Sequence, residues 1–239
     1  MKNFENVSVV MISRNEEKAV AKVISNIKRD VPGSEILLVD SSTDNTPKIA
    51  EELGAKVIRQ LPPKGYGPAM EVGLLTPKRD IIVTLDCDDT YPTNMIPVLV
   101  KKINDGYDVV GTSRISAGKP KHMPSVNYLA NKLVNLAASI VFLRTIKDGH
   151  SGMRAYRRSV LHKINWWMSG ESLPLLPKIV IGAKGNALPV ELLLKPISLG
   201  YKCIEISIPY RQRAGQPKME KISSFIWSFI RIVTSRFSA

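Results

Sequence analysis

At 239 residues the chain is long enough for one large domain or two small ones, and 44% hydrophobic with 23% charged residues excludes global disorder. Cys87 and Cys203 lie far apart in strand-like runs, which excludes a disulfide framework or a zinc cluster, and no apolar run reaches the roughly 20 residues needed to cross a bilayer. The formal net charge of +13 rises chiefly beyond Arg114 and points to phosphate-bearing partners: nucleic acid, anionic lipid head groups or a phosphorylated substrate.

In chain order, Val7–Ile12 reads as a first strand, and Ser13–Glu17 as a polar turn into an amphipathic helix through Ile27, with Ser13 or Asn15 as its expected cap. After Pro32-Gly33, Glu35–Val39 forms a second strand ending at Asp40, and a polar loop, Ser41–Thr46, leads into a helix opened by Pro47 and closed by Gly54. Ala55–Ile58 is a third strand. Leu61–Pro68 is a rigid, glycine-punctuated loop continuing into a helix over Ala69–Leu75.

Ile81–Leu85 is too short for a helix and reads as a buried strand, followed at once by Asp86, Asp88 and Asp89. Carboxylates packed this closely repel one another unless a hard divalent cation, Mg²⁺ or Mn²⁺, neutralises them. The end of a parallel strand is also where open α/β sheets bind ligands. An acidic turn capping the next element is the simpler alternative.

Pro97–Asn104 then reads as a helix and Asp108–Gly111 as a strand. This alternation predicts a Rossmann-like, mostly parallel sheet flanked by helices, with a nucleotide-binding half over residues 1–115. An acceptor-binding half over 116–218 holds a long apolar helix (Asn127–Leu143), the turn Asp148–Gly152, a strand then helix over Met153–Leu161, a helix over Glu191–Leu199 and a strand over Tyr201–Pro209. In the tail, 219–239, Ile222, Phe225, Ile226, Phe229, Ile230, Val233 and Phe237 share one helical face, with Lys221, Ser224, Ser228, Arg231, Ser235 and Arg236 largely opposite. Such a helix suits a membrane interface or docks on the protein's own core.

Together, SRNEE (13–17), VDSSTDNT (39–46), KGYGPAMEVG (64–73), LDCDD (85–89), GTSR (111–114), DGHSGMRAYRR (148–158) and the segment 191–218 resemble the motifs of family 2 glycosyltransferases of GT-A fold, and within them the polyprenyl-phosphate (dolichol-phosphate) mannose and glucose synthases. Each motif is weak alone; their order and spacing carry the resemblance. It implies a metal-dependent transfer of one hexose, with inversion, from a nucleotide sugar such as GDP-mannose or UDP-glucose to a polyprenyl phosphate lipid, by a protein peripheral at the cytosolic membrane face.

On this resemblance Asn15, Glu16, Asp40, Asp44, Lys64 and Asp86 contact the nucleotide sugar, while Asp86 and Asp88, with Asp89 as a further ligand or structural carboxylate, hold the metal. Where such synthases often carry a glutamine-containing turn, this chain has Asp89-Thr90-Tyr91-Pro92, which leaves the third ligand open. Arg114, Arg154, Arg211, Arg213 and Lys218 match phosphate-facing positions, suited to arginine's bidentate grip. Asp148 matches a base or acceptor-orienting residue, paired in the expectation with Arg114 at the catalytic centre. Two alternatives stay open: a GT-A transferase with a soluble acceptor, and a basic nucleic-acid-binding module. Zinc spacing and RNA-binding aromatic signatures are missing, so no nucleic-acid partner is expected.

Overall fold

A computed structural model describes residues 3–164, 188–214, 228–230, 232, 233 and 236. Seven strands form one sheet in the order β3-β2-β1-β4-β6-β5-β7. The strands are β1 (Val7–Ser13), β2 (Glu35–Asp40), β3 (Lys56–Arg59), β4 (Ile81–Thr84), β5 (Val109–Ser113), β6 (Arg154–Arg157) and β7 (Cys203–Ser207). All neighbours pair in parallel except β6, which runs antiparallel to both β4 and β5. The sheet therefore joins the two expected halves through β6 and β7. The reversal of β6 is not foreseen by an alternating strand–helix pattern, because a four-residue strand carries no signal of direction.

Helices α1 (Glu17–Asp30), α2 (Thr46–Glu52), α3 (Tyr66–Leu75), α4 (Ile96–Asn104), α5 (Ser125–Phe142), α6 (Arg158–Lys163) and α7 (Leu188–Ser198) cover the sheet. β1 and β4 are buried almost throughout, as expected of parallel strands covered on both faces. One side packs Val9, Met11 and Val83 against Val20, Ile24 and Leu99. The other packs Val10 and Ile82 against Leu74, Leu161 and Leu192. A third cluster joins Val134, Ala138 and Phe142 of α5 to Val190, Leu193 and Leu194 of α7, and Ile232 of the tail packs into it.

The tail docks by a side that the sequence pattern assigns to solvent. Ser228 and Ile232 are buried, whereas Phe229 and Val233 are exposed. Ser228 Oγ lies 2.7 Å from His150 Nε2, and that hydrogen bond accounts for the polar residue in the docked face. Both cysteines are buried free thiols, as the sequence implies.

His150 provides a pH test of this docking. Burial above all, with the nearby Arg114 charge adding to it, lowers its pKa from 6.5 to about 4. In the unfolded chain the imidazole takes its proton near the ordinary value, so His150 contributes stability above that pH and loses it as pH falls toward the folded value. Urea unfolding should therefore show a drop of about 2 kcal/mol between about pH 7 and about pH 5 in the wild type that is missing from His150→Gln.

Candidate active site

The C-terminal ends of β1, β2 and β4 meet at one edge of the sheet, and their loops are built from hydrogen bonds among the residues the sequence singles out. Register places Ser13, Asp40 and Arg59 side by side at the ends of β1, β2 and β3. Asp40 is fully buried there and accepts from Ser13 Oγ (2.5 Å), Ser42 N (3.0 Å), Ser42 Oγ (2.5 Å) and the Arg59 guanidinium. Its oxygens are thus taken up within the protein, so Asp40 shapes the pocket floor through Ser13, Ser42 and Arg59. Arg59 is absent from the sequence expectation, although its place at the end of the strand after Asp40 was the signal for it.

The expected cap of α1 is replaced by a cap from another loop. Glu16 occupies the N-cap position without a side-chain capping hydrogen bond. Instead Asp44 Oδ2 accepts from Glu17 N (3.3 Å), and Asp44 Oδ1 accepts from Thr46 N (3.0 Å) and Thr46 Oγ1 (2.5 Å). Partial burial raises the Asp44 pKa, but these hydrogen bonds outweigh it and hold the carboxyl below its ordinary range. Asn15, in the left-handed region at φ 57°, accepts Thr43 N at 2.9 Å and donates its own N–H to Ser42 Oγ at 2.7 Å. Glu17 in turn accepts from the backbone and side chain of Asn45. Lys64 is exposed on its loop beside Gly65, whose φ of 100° favours glycine.

The three aspartates after β4 have separate fates. Asp89, with φ 63°, pairs with Lys22 at 2.5 Å and lies 3.7 Å from Arg211. Asp88 accepts from Thr90 N (3.1 Å) and Thr90 Oγ1 (2.6 Å) through one oxygen and pairs with Arg213 at 2.8 Å through the other. Arg213 also bonds Glu16, bridging the first loop to the strand tip. Asp86 differs: among the described residues no hydrogen bond or ion pair reaches its carboxylate. Burial, and then Asp88, push its pKa up to about 7 against the pull of Arg114 and Arg213.

Gly152 closes over Asp86 so tightly that a Cβ there would stand 3.1 Å from Oδ1 and 3.3 Å from Oδ2. Tyr91, part of the departure from the synthase pattern, holds Gly152 in place by accepting its N–H at 2.7 Å. Gly152→Ala should therefore raise the Mn²⁺ concentration for half-maximal turnover about tenfold, because the methyl must displace the carboxylate. An unchanged metal titration would separate Gly152 from the site.

The turn Asp148–Gly152 is clamped from several elements. Glu205 on β7 accepts Lys147 N and Asp148 N, both at 2.8 Å. Asn135 on α5 donates to Lys147 O (2.8 Å) and accepts Gly149 N (2.9 Å). Asp148, fully buried, receives Arg114 N (2.9 Å), Nε (2.8 Å) and Nη2 (2.9 Å). Burial raises the Asp148 pKa, yet the Arg114 charge and its hydrogen bonds prevail and the carboxyl sits below its ordinary value. The Arg114 guanidinium also lies 5.4 Å from the centre of the Tyr210 ring.

A crevice of about 430 Å³ bounded by Asn6, Asp80, Asn104, Arg157 and His162 lies at the opposite end of β4, away from these carboxylates.

The sequence profile described as "Glycosyl transferase family 2" matches residues 8–164, more than half of the chain. The chain belongs to glycosyl transferase family 2. This glycosyltransferase is 42% identical over 218 residues to the dolichyl-phosphate hexose transferase of Haloferax volcanii, covering 91% of this chain and 88% of that protein. It is 30% identical over 188 residues to the dolichol-phosphate mannosyltransferase of Pyrococcus furiosus, covering 74% of this chain and 53% of that protein. Among solved structures it resembles glucosyl-3-phosphoglycerate synthase of Mycobacterium tuberculosis, with a TM-score of 0.68 at 23% identity over 97% of this chain and 78% of that one. The fold is thus GT-A.

Within the transferase the arginines fall into two groups. Arg114, Arg211 and Arg213 surround the carboxylates. Arg154, expected at a phosphate-facing position, is buried on β6, bonded to Pro189 O and, at 2.7 Å, to Gly149 O, and fastens α7 to the turn. Both oxygens of Asp148, expected as a base or acceptor-orienting residue, accept from Arg114, and its proton affinity is lowered. Arg211 and Arg213 face the acidic strand tip, where Ala214 N and Arg211 N bond Asp88 O (3.1 Å) and Thr90 O (3.0 Å). Lys218 and tail residues 222, 225, 226 and 237 lie outside the described residues.

The donor set fits a divalent cation. Asp86 is a half-buried carboxylate without a hydrogen bond among the described residues, and Asp88 stands beside it. No cluster of three or more ligating side chains occurs among the described residues. Asp86 and Asp88 supply two carboxylates, the number that Mg²⁺ commonly takes from a protein while phosphates and water complete its shell.

Proposed function

We propose that this glycosyltransferase moves a hexose, mannose or glucose, from a nucleotide diphosphate sugar to a polyprenyl phosphate at the cytosolic membrane face, with inversion. The observation that carries the acceptor assignment is the state of Asp148. A saccharide hydroxyl must lose a proton as it attacks and requires a base with free oxygens. A carboxylate locked onto Arg114 is a poor one, whereas a phosphate acceptor is already ionised and needs only cations to place it. The similarity to the Haloferax volcanii protein supports the same acceptor.

In this reading Glu16 and the braced loops around Asn15, Asp40 and Asp44 hold the nucleoside, and Lys64 with the Gly65 backbone approaches the diphosphate. Asp86 and Asp88 would hold Mg²⁺ or Mn²⁺, which when bound supplies charge neutralisation at the leaving diphosphate. Arg213 lies close enough to exchange Glu16 and Asp88 for phosphate oxygens once a diphosphate arrives. Arg114, kept charged and oriented by Asp148, faces the acceptor phosphate, and Arg211 adds positive charge at the rim. Most donor contacts in this reading come from residues 1–115 and the acceptor turn from 116–218, with Arg114 and Arg213 crossing that division.

Sugar transfer from GDP-mannose and UDP-glucose to dolichyl phosphate, with Mg²⁺ or Mn²⁺, tests this. Transfer to the lipid phosphate is expected. Turnover confined to a soluble acceptor such as phosphoglycerate, or none with any nucleotide sugar, overturns it.

A further inference from the structure

Among the described residues, helix α5 presents an apolar ridge with no partner. Val126, Leu129, Leu133, Leu136, Ile140 and Leu143 follow one another at intervals of three and four residues, and each is between 52% (Leu133) and 88% (Leu143) exposed. At 100° per residue they occupy one outward arc, directly opposite the buried Asn131, Val134, Asn135, Ala138 and Phe142. Singly exposed leucines are ordinary, but a continuous row of six marks an interaction surface. No helix among the described residues is long and apolar enough to cross a membrane, so this ridge belongs to a contact at a surface.

Charge decides what covers it. From Val109 to Lys147 the chain contains no Asp or Glu, while Lys119, Lys121, Lys132, Arg144 and Lys147 are exposed along and beside the helix. Lys132 extends over the Tyr128 ring, 5.5 Å from its centre, at the flank of the ridge. The spacing alone also suits a helix–helix seam with a second copy. Such a seam would bring these cations against their own images with no acidic residue of the segment to answer them. An anionic lipid surface meets both properties, apolar side chains entering the acyl boundary and lysines resting among head groups.

We propose that the outer face of α5 is the membrane-docking surface of this protein, and that it binds anionic lipid. The proposal deepens the lipid-acceptor reading and rests on it for its purpose. The inner face of the same helix, through Asn135, grips the turn that carries Asp148 and so Arg114. Seating α5 on lipid therefore brings the acceptor-side arginine to the layer where a polyprenyl phosphate head group lies.

The test is flotation of the full chain with vesicles of phosphatidylcholine alone or mixed equally with phosphatidylglycerol, without polyprenyl phosphate. The wild type should float with the anionic vesicles. Leu129→Ser/Leu136→Ser should lose at least about tenfold in partitioning, and Lys132→Glu should shift the dependence on lipid charge. Both changes lie at exposed positions, so thermal midpoint and turnover on a water-soluble short-chain prenyl phosphate should match wild type. Flotation indifferent to lipid charge, or unaffected by the double substitution, overturns the proposal. So does loss with Phe229→Ser/Val233→Ser in place of the α5 variant, or a lipid-free dimer that the α5 variant dissociates. Because turnover is not the binding readout, failure of the acceptor reading would appear only in the transfer assay.

Discussion

Asp86→Asn should lower kcat by about 10²–10³-fold, the usual cost of removing one electrostatic stabiliser from a transfer site, while making the metal-free protein more stable. The two effects have one origin. Burial and Asp88 raise the Asp86 pKa to about 7, so the folded state resists ionisation that the unfolded chain accepts freely. For an acid whose pKa is raised on folding, the unfolded state releases its proton first, and stability is lost as pH climbs from the ordinary carboxylate range to the folded value. Asparagine removes that penalty. At neutral pH we expect Tm to rise by about 2–4 °C or more, corresponding to about 1 kcal/mol, together with loss of the stabilisation that Mn²⁺ and a nucleotide sugar confer on wild type. A variant that is both inactive and less stable would show Asp86 to be a packing residue.

Asp148→Ala should have the largest effect on stability, about 3–5 kcal/mol, because it strands the Arg114 guanidinium in a buried site. The side chains are 8% and 0% exposed, so solvent screens the pair little. Asp148→Asn keeps the shape and exposes the functional question. If Asp148 acts through Arg114 as a positioning residue, as proposed, the Asn variant should raise KM for the lipid phosphate more than it lowers kcat, and any acid limb of the kcat profile should persist. If Asp148 removes a proton from the acceptor, that limb disappears and KM stays constant. Urea unfolding and a pH series on both variants distinguish these outcomes.

Much of this architecture was legible because its signals are local. Strands such as Val7–Ser13 and Ile81–Thr84 announce themselves as short apolar runs, and the helices between them by period. The aspartates at the end of β4 were found for the same reason, since strand-end carboxylates lie consecutively in the chain. What the sequence left hidden depends on partners distant along it. Arg154 carries the same charge as Arg213, and only the antiparallel placement of β6 between β4 and β5 sends it into the interior. Asp40 reads as an open acceptor until register sets Arg59 beside it. Asn135 and Glu205 each look like one polar residue in an apolar element, yet both terminate on the Asp148 turn. The tail shows a limit of periodicity: it identifies an amphipathic helix but does not weigh one hydrogen bond between Ser228 and His150 against a row of aromatics.

The bonds that tie Asn15 to Ser42 and Thr43, Glu16 to Thr46, and Glu17 to Asp44 and Asn45 make two loops into one mechanical part. Neither lip can open without breaking the other's contacts. In native-state deuterium exchange the amides of Asn15, Glu16, Glu17, Thr43 and Asn45 should accordingly be released in a shared opening event, with similar protection factors despite their separation along the chain. On the proposed donor reading, a nucleoside entering such a frame would meet a lip already set, and its capture would order little additional backbone.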